Sequence, residues 1–371
     1  MSGQKIEMKL SEITIELEKL APLAYAEDFD NVGLLVGNPN SEISKILVTL
    51  DTTEEVVREA IEIGANLIVS FHPIIFSGMK KITGKNYVER VVQLAIKNDI
   101  NIYAAHTALD NSQFGVNHQI CKQLNLNHTK ILIPQKNTLK HLVTYVPVEN
   151  AEKVRNALFE AGAGLIGNYD NCSFNLEGTG TFRPLENANP YKGEIGKTEF
   201  SKEVRISIVF NKHLENQIFQ ALRNSHPYEE IAYELFQLEN TNQNIGMGMI
   251  GELENEMSES EFLIYLKDKM KTKMVRHSEL LNKKIKKVAV LGGSGSFAIA
   301  DAKRSGADAF VTSDLKYHNF FEAENQILLA DIGHYESEQF TKNLLTAYLS
   351  EKFPNFAVLK SEINTNPVHY T

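Results

Sequence analysis

Two residues four positions apart near the C-terminus, His334 and Glu338 in Gly333-His334-Tyr335-Glu336-Ser337-Glu338, have the types and spacing to hold a metal ion. On a helix that has begun by His334 they lie one turn apart on the same face. An imidazole and a carboxylate so placed are ordinary ligands for a divalent cation. The plain alternative is a helix N-terminus with a capping His and a solvated Glu, which the short motif alone does not defeat. Two further places in the chain change the balance. His72 stands in Phe71-His72-Pro73 after the apolar run Leu67-Ile68-Val69-Ser70, and His106 and Asp110 follow the run Ile100–Ala105. Open α/β sheets place ligands at the carboxyl ends of their strands. Two successive strands thus deliver His, His and Asp to one edge, a second group of candidate metal ligands.

The elements that must position these residues fall into three blocks. In the first, apolar residues at helical spacing predict a helix from Ile6 to Leu20, with Ser11 as a local cap. The acidic stretch Ala26–Gly37, with Glu27, Asp28, Asp30 and Asn31, reads as a solvated turn leading into a short strand. Lys45–Asp51 reads as a buried strand, Thr52 or Thr53 caps a helix Glu54–Ile63, and Leu67–Ser70 is the next strand. This β-α-β order predicts a parallel sheet covered by helices. The middle block contains two strand-helix-strand repeats: Leu139–Pro147 with the helix Asn150–Gly162, then Val204–Phe210, the helix Leu214–Ser225 and Ala232–Leu235. Such a repeat predicts a ferredoxin-like α+β domain, in which His226-Pro227-Tyr228-Glu229-Glu230 reads as a loop around a buried Tyr228. A polar stretch, Asn240–Gly246, reads as a linker. The third block resumes the α/β pattern. Its strand Lys286–Leu291 runs into Gly292-Gly293-Ser294-Gly295, a turn of the kind that can cradle phosphate. A further strand, Ala309–Thr312, ends in the polar cluster Ser313–His318. The economical architecture is one α/β domain in two halves, residues 1–137 and 246–371, with a smaller α+β domain inserted at 138–240.

A chain of 371 residues calls for two or three domains, and 43% hydrophobic with 23% charged residues is the composition of an ordinary soluble globular protein. Against 38 basic residues stand 47 acidic ones, a net charge of -9, which argues against a general nucleic-acid or anionic-membrane binder. The N-terminus lacks the apolar core of a signal peptide and no run approaches a membrane span. Cys121 and Cys172 are far apart and read as small buried residues in a reducing compartment, so the expected location is cytoplasmic.

Six motifs occur in an order that resembles the NIF-three-like family, whose bacterial members are commonly labelled GTP cyclohydrolase 1 type 2 homologues. They are Glu27–Leu34, Phe71-His72-Pro73, His106–Asp110, Gly292–Gly295, Thr312–His318 and Gly333–Glu338. The middle block resembles the inserted PII/CutA type of ferredoxin-like domain in longer members. The resemblance implies a site for one or two divalent metal ions (zinc, iron or manganese), facing the interior of a homohexameric ring, with His72, Asp110, His334 and Glu338 as ligands. The family usually has two adjacent histidines where this chain has Phe71-His72, which leaves the second ion one imidazole short. The implied function is a metal-dependent hydrolase, in which metal-activated water attacks a nucleotide or related small molecule. His106 or His318 would serve as general acid or base, and the Gly292–Gly295 turn would receive phosphate. The competing expectation is a non-catalytic metal-binding protein of regulatory or scaffold type.

Overall fold

A computed structural model describes residues 8–371 in two compact units, one made of the chain up to Ile133 together with Ile245–Thr371, the other of Pro134–Asn244. Ile6 and Glu7, the start of the expected first helix, lie outside the described residues. The helix that is seen runs Leu10–Leu20, so Ser11 sits inside it rather than capping it.

The larger unit holds two large sheets and a two-stranded one, Met8–Lys9 with Glu42–Ile43. The first has five strands in the order Val358–Lys360, Ile46–Thr49, Leu67–Ser70, Asn101–Ala104, Gly33–Val36. Neighbours are parallel except the last pair. Every residue of the three central strands is buried, as expected of a parallel sheet covered on both faces. Thr53 supplies the cap between the first two, its side chain accepting from the Val56 N–H at 3.3 Å. Gly64, in the left-handed conformation, ends that helix. Val358–Lys360 is a three-residue strand that the sequence pattern does not announce. It comes from the end of the chain and completes the sheet of the first half, so the two halves interlock.

The second sheet has the order Arg276–His277, Leu328–Asp331, Ala309–Ser313, Lys284–Ser294, Asn242–Ser258, Asn127–Gln135. Asn242–Gly246, expected as a linker, is the start of a 17-residue strand. The largest core joins residues of both sheets, among them Val48, Val69, Phe71, Val290 and Leu328. Leu10, Ile13 and Leu17 of the first helix pack into it, as do Leu345 and Leu349 of the helix Thr341–Lys352. Shared burial of this kind fixes the carboxyl ends of the central strands of both sheets relative to one another.

The smaller unit is a four-stranded antiparallel sheet, order Tyr233–Leu238, Leu139–Pro147, Glu199–Asn211, Phe174–Phe182. Its helices Ala151–Glu160 and Glu215–Ser225 pack on a core of Leu142, Val154, Leu158, Ile206, Ile208 and Ile218. Residues 172–182, in which Gly178 and Gly180 alternate with other residues, are mostly strand. Among the described residues no helix is long and apolar enough to cross a membrane. Cys121 is buried, whereas Cys172 is only partly so, and both are free thiols.

Phe71, which precedes His72, is fully buried in the shared core. Its ring lies 4.9 Å from that of His72 and 5.7 Å from that of His106. Truncating it leaves a cavity under the strand end, and Phe71→Ala is expected to lower unfolding free energy by about 3–5 kcal/mol in denaturant titrations.

Candidate metal centre

His72 leaves the strand Leu67–Ser70, while the helix His334–Glu338 begins at His334 after the strand Leu328–Asp331. Gly333 makes the connection at a φ of +93°, which a side chain would oppose. The result is a close triangle of donor atoms. His72 Nε2 lies 3.4 Å from His334 Nε2, and Glu338 Oε2 lies 3.1 Å and 3.2 Å from them respectively. Glu338 is 3% exposed, and its Oε2 accepts no well-aligned hydrogen bond. A carboxylate so deeply buried is costly unless cationic groups or a metal ion face it. Corners spaced in this way suit one face of a coordination shell with metal–ligand bonds of about 2.1 Å.

Each imidazole is oriented from behind. His72 Nδ1 donates to Asp51 Oδ1 at 2.8 Å and His334 Nδ1 donates to Asp314 Oδ2 at 2.6 Å. A carboxylate on Nδ1 fixes the ring and turns the Nε2 lone pair toward an ion. Asp51 is itself held by the Thr365 hydroxyl at 2.5 Å, from the C-terminal segment. Asp314 also accepts from Ser294, and its backbone is left-handed at a φ of +57°.

The electrostatics fit the same occupant. Burial disfavours charge on His72, yet the carboxylates of Glu338 and Asp51 outweigh it and raise its pKa to about 10. His334 is raised against burial to about 11 by Asp314 and Glu338. Burial would also raise Glu338, but the two imidazoles hold it well below the usual carboxylate range. A divalent cation can take the place of the two imidazole protons, charge for charge.

Asp110 is brought to the same region but not into the triangle. It is 8% exposed, and its Oδ1 is buried without a hydrogen bond. Burial and then the Glu338 charge push its carboxyl well above the ordinary value, which His72 and His334 oppose. His106 stands beside His72, ring centroids 5.4 Å apart. Its backbone is held at a φ of +27°, a strained conformation of the kind that collects at functional sites. Its Nδ1 donates to Asp30 Oδ1 at 2.7 Å, and the Thr107 hydroxyl donates to Asp30 Oδ2 at 2.5 Å. The acidic turn is therefore not solvated at Asp30, whose side chain is fully buried. His318 is not brought to this group. It is exposed, and its ring packs against Tyr317 and Phe321.

The glycine turn has a different job from the one expected. The Gly292 N–H donates to Asn117 Oδ1 at 3.0 Å and the Gly293 N–H to Ser337 Oγ at 2.9 Å, so neither is free for phosphate. A Cβ on Gly293 would meet Glu338 Oε1 at 2.5 Å. The glycine is there to let the strand approach the buried carboxylate. A cavity of about 420 Å³ opens beside the triangle, lined by Asp51, His72, Arg276, Asp314, His334 and Tyr335 among others.

Asp30, Asp51 and Asp314 were not singled out from the sequence as parts of the site. Two of them carry a usable signal, since Asp51 and Asp314 closely follow buried parallel strands at the edge where the histidines emerge.

The family model of Duf34/NIF3 (NGG1p interacting factor 3) matches residues 8–367. A Bacillus subtilis protein named GTP cyclohydrolase 1 type 2 homolog is 42% identical over 355 residues, covering 94% of this chain and 95% of its own. A crystal structure of a Bacillus cereus protein related to NIF3 superposes with a TM-score of 0.86 at 38% identity, covering 98% of this chain and 99% of its own. A Staphylococcus aureus structure, protein SA1388, gives 0.78 at 32% identity with the same coverage.

The Asp30 interaction yields a pH test. Burial would raise the Asp30 carboxyl, but hydrogen bonds from His106 and Thr107 outweigh it and bring the pKa to about 2, from 3.8. Because the folded value is the lower one, the stabilisation is complete above about pH 4 and is lost as pH falls toward 2. Asp30→Asn is expected to cost about 1–3 kcal/mol at pH 7 in denaturant unfolding. Its deficit relative to wild type should shrink between about pH 4 and pH 2, and a constant deficit would contradict this assignment.

Proposed function

The chain belongs to the Duf34/NIF3 family, and from that premise we propose that it is a metal-dependent hydrolase of a nucleotide or related small molecule. The observation that carries the reading is the buried Glu338 oxygen facing two oriented imidazole nitrogens with no well-aligned donor to satisfy it. His72, His334 and Glu338 would hold one divalent ion, and Asp110 would be available to a second. Two imidazoles with carboxylates form a donor set suited to zinc, iron or manganese. A bound ion lowers the pKa of a coordinated water and polarises the bond under attack.

The chain's own residues supply the rest. Asp51 and Asp314 hold His72 and His334 in orientation. His106, tied through Nδ1 to Asp30, keeps Nε2 for a proton transfer to or from the reacting group. Phe71 keeps water and further ligands out of one side of the site. The substrate class rests on the name of the Bacillus subtilis relative, and phosphate recognition is left to residues other than the Gly292 and Gly293 N–H groups. A homohexameric ring and a cytoplasmic location accompany this reading, as does a ferredoxin-like identity for the inserted unit, whose strand order by chain position is fourth, first, third, second.

The test is a panel of nucleotides, GTP included, incubated with protein loaded with each metal. Turnover is expected in wild type and its loss in His334→Ala and Asp110→Ala. Undiminished turnover in those variants would overturn the proposal. Ion binding with no turnover across the panel would point instead to the non-catalytic regulatory or scaffold role. Asp314→Asn keeps every ligand but releases the ring behind it. It is expected to weaken ion affinity by about 10–100-fold in chelator competition, with thermal unfolding near wild type.

A further inference from the structure

The inserted unit has a cavity of its own, about 660 Å³, larger than the one beside the metal triangle and of the size of small-molecule sites. It lies at one end of the sheet face that its helices leave open. Strand register sets its floor. Arg205 sits between Tyr145 and Leu176, and Glu203, two residues back on the same face, sits between Pro147 and Gly178. Gly178 has no side chain to fill its place, and a Cβ there would meet nothing within 4 Å. The floor is therefore open between a cation and an acid.

The walls are aromatic and fastened. Tyr228 lies 5.8 Å from Phe182 and 6.1 Å from Tyr191, ring centre to ring centre. Its hydroxyl donates to Glu203 Oε1 at 2.7 Å and stands 3.2 Å from Ser201 Oγ. The connecting loop is pinned at two points, where the Asn189 N–H donates to Glu229 at 2.8 Å and Lys192 pairs with Glu149 at 2.5 Å. The expected loop around Tyr228 is thus part of a built wall.

Arg183, Glu177 and Glu230 also line the cavity without ion pairs among the described residues but are exposed to water, whereas two charges on its floor are less exposed and lack counterparts that a ligand would supply. The Arg205 guanidinium has neither a hydrogen bond nor an ion pair among the described residues, unlike the Lys192 ammonium. Glu203 is 8% exposed, a carboxylate rarely found so buried without a partner beyond one tyrosine. An unpaired guanidinium calls for a carboxylate or phosphate, aromatic walls call for a planar ring, and a buried carboxylate calls for an N–H or O–H donor.

We propose that this cavity binds a small planar ring carrying one acidic group, with the acid on Arg205, the ring over Gly178, and an amino or hydroxyl substituent donating to Glu203. The site is independent of the metal reading, because all its residues belong to the inserted unit.

The test uses the full-length chain and two probes, anthranilate for the carboxylate form and AMP for the phosphate form, with aniline and adenosine as counterparts that lack the acid. Calorimetric titration should give saturable binding of at least one acidic probe at one per chain, and binding at least about tenfold weaker for its counterpart. Arg205→Gln should weaken the acidic probe by about tenfold or more. Gly178→Val, which the open space above the strand accommodates, should abolish binding while thermal unfolding and metal content stay as in wild type. Binding of anthranilate alone would identify a carboxylate ligand, and of AMP alone a phosphate. No saturable binding of either probe by about 1 mM, or equal binding in both variants, would overturn the proposal.

Discussion

One buried carboxylate sets the terms for the larger unit. Glu338 is removed from water, and its Oε2 faces the Nε2 atoms of His72 and His334 at 3.1 Å and 3.2 Å. A buried charge is among the most expensive groups a fold can contain unless cations face it, so the groups around it must be held in place. Gly293 gives the carboxylate room, since any side chain there would strike it. The Ser337 hydroxyl and the Asn117 side chain occupy the N–H groups of the neighbouring strand, and Asp51 and Asp314 hold the imidazoles from behind.

The interlocked halves serve that arrangement. His72 comes from the five-stranded sheet, His334 and Glu338 from the end of the six-stranded one, and the core that joins the sheets includes Phe71, Val69 and Val290. The last strand, Val358–Lys360, returns to the first sheet, and the segment after it brings Thr365 to Asp51. The C-terminal segment is in this way linked through two hydrogen bonds to a candidate ligand. Strain appears where orientation matters most, at His106 and Asp314, both in left-handed backbone.

Much of this is legible in the sequence, for definite physical reasons. Apolar runs that end in His72, His106 and His334 mark strand ends, and the four-residue spacing of His334 and Glu338 survives because a helix does begin at His334. Pairings over long separations leave no such pattern. Asp30 lies 76 residues from His106, so nothing local distinguishes it from a solvated acid in a turn. The Gly292–Gly295 stretch is ambiguous in kind, because glycine permits both a phosphate loop and close packing, and only the contact with Glu338 decides between them. His318 shares its polar cluster with Asp314, yet only Asp314 reaches His334, and nothing local in the run of residues separates the two. The three-residue strand Val358–Lys360 is too short to carry a period.

Elemental analysis of protein purified without chelators, comparing wild type with Glu338→Gln, tests the central claim most directly. The expected result is one or two divalent ions per chain in wild type and loss of at least one in the variant, with the fold retained by circular dichroism. A wild-type chain that carries no ion even after exposure to zinc, iron and manganese, or a variant that carries as many as wild type, would contradict it.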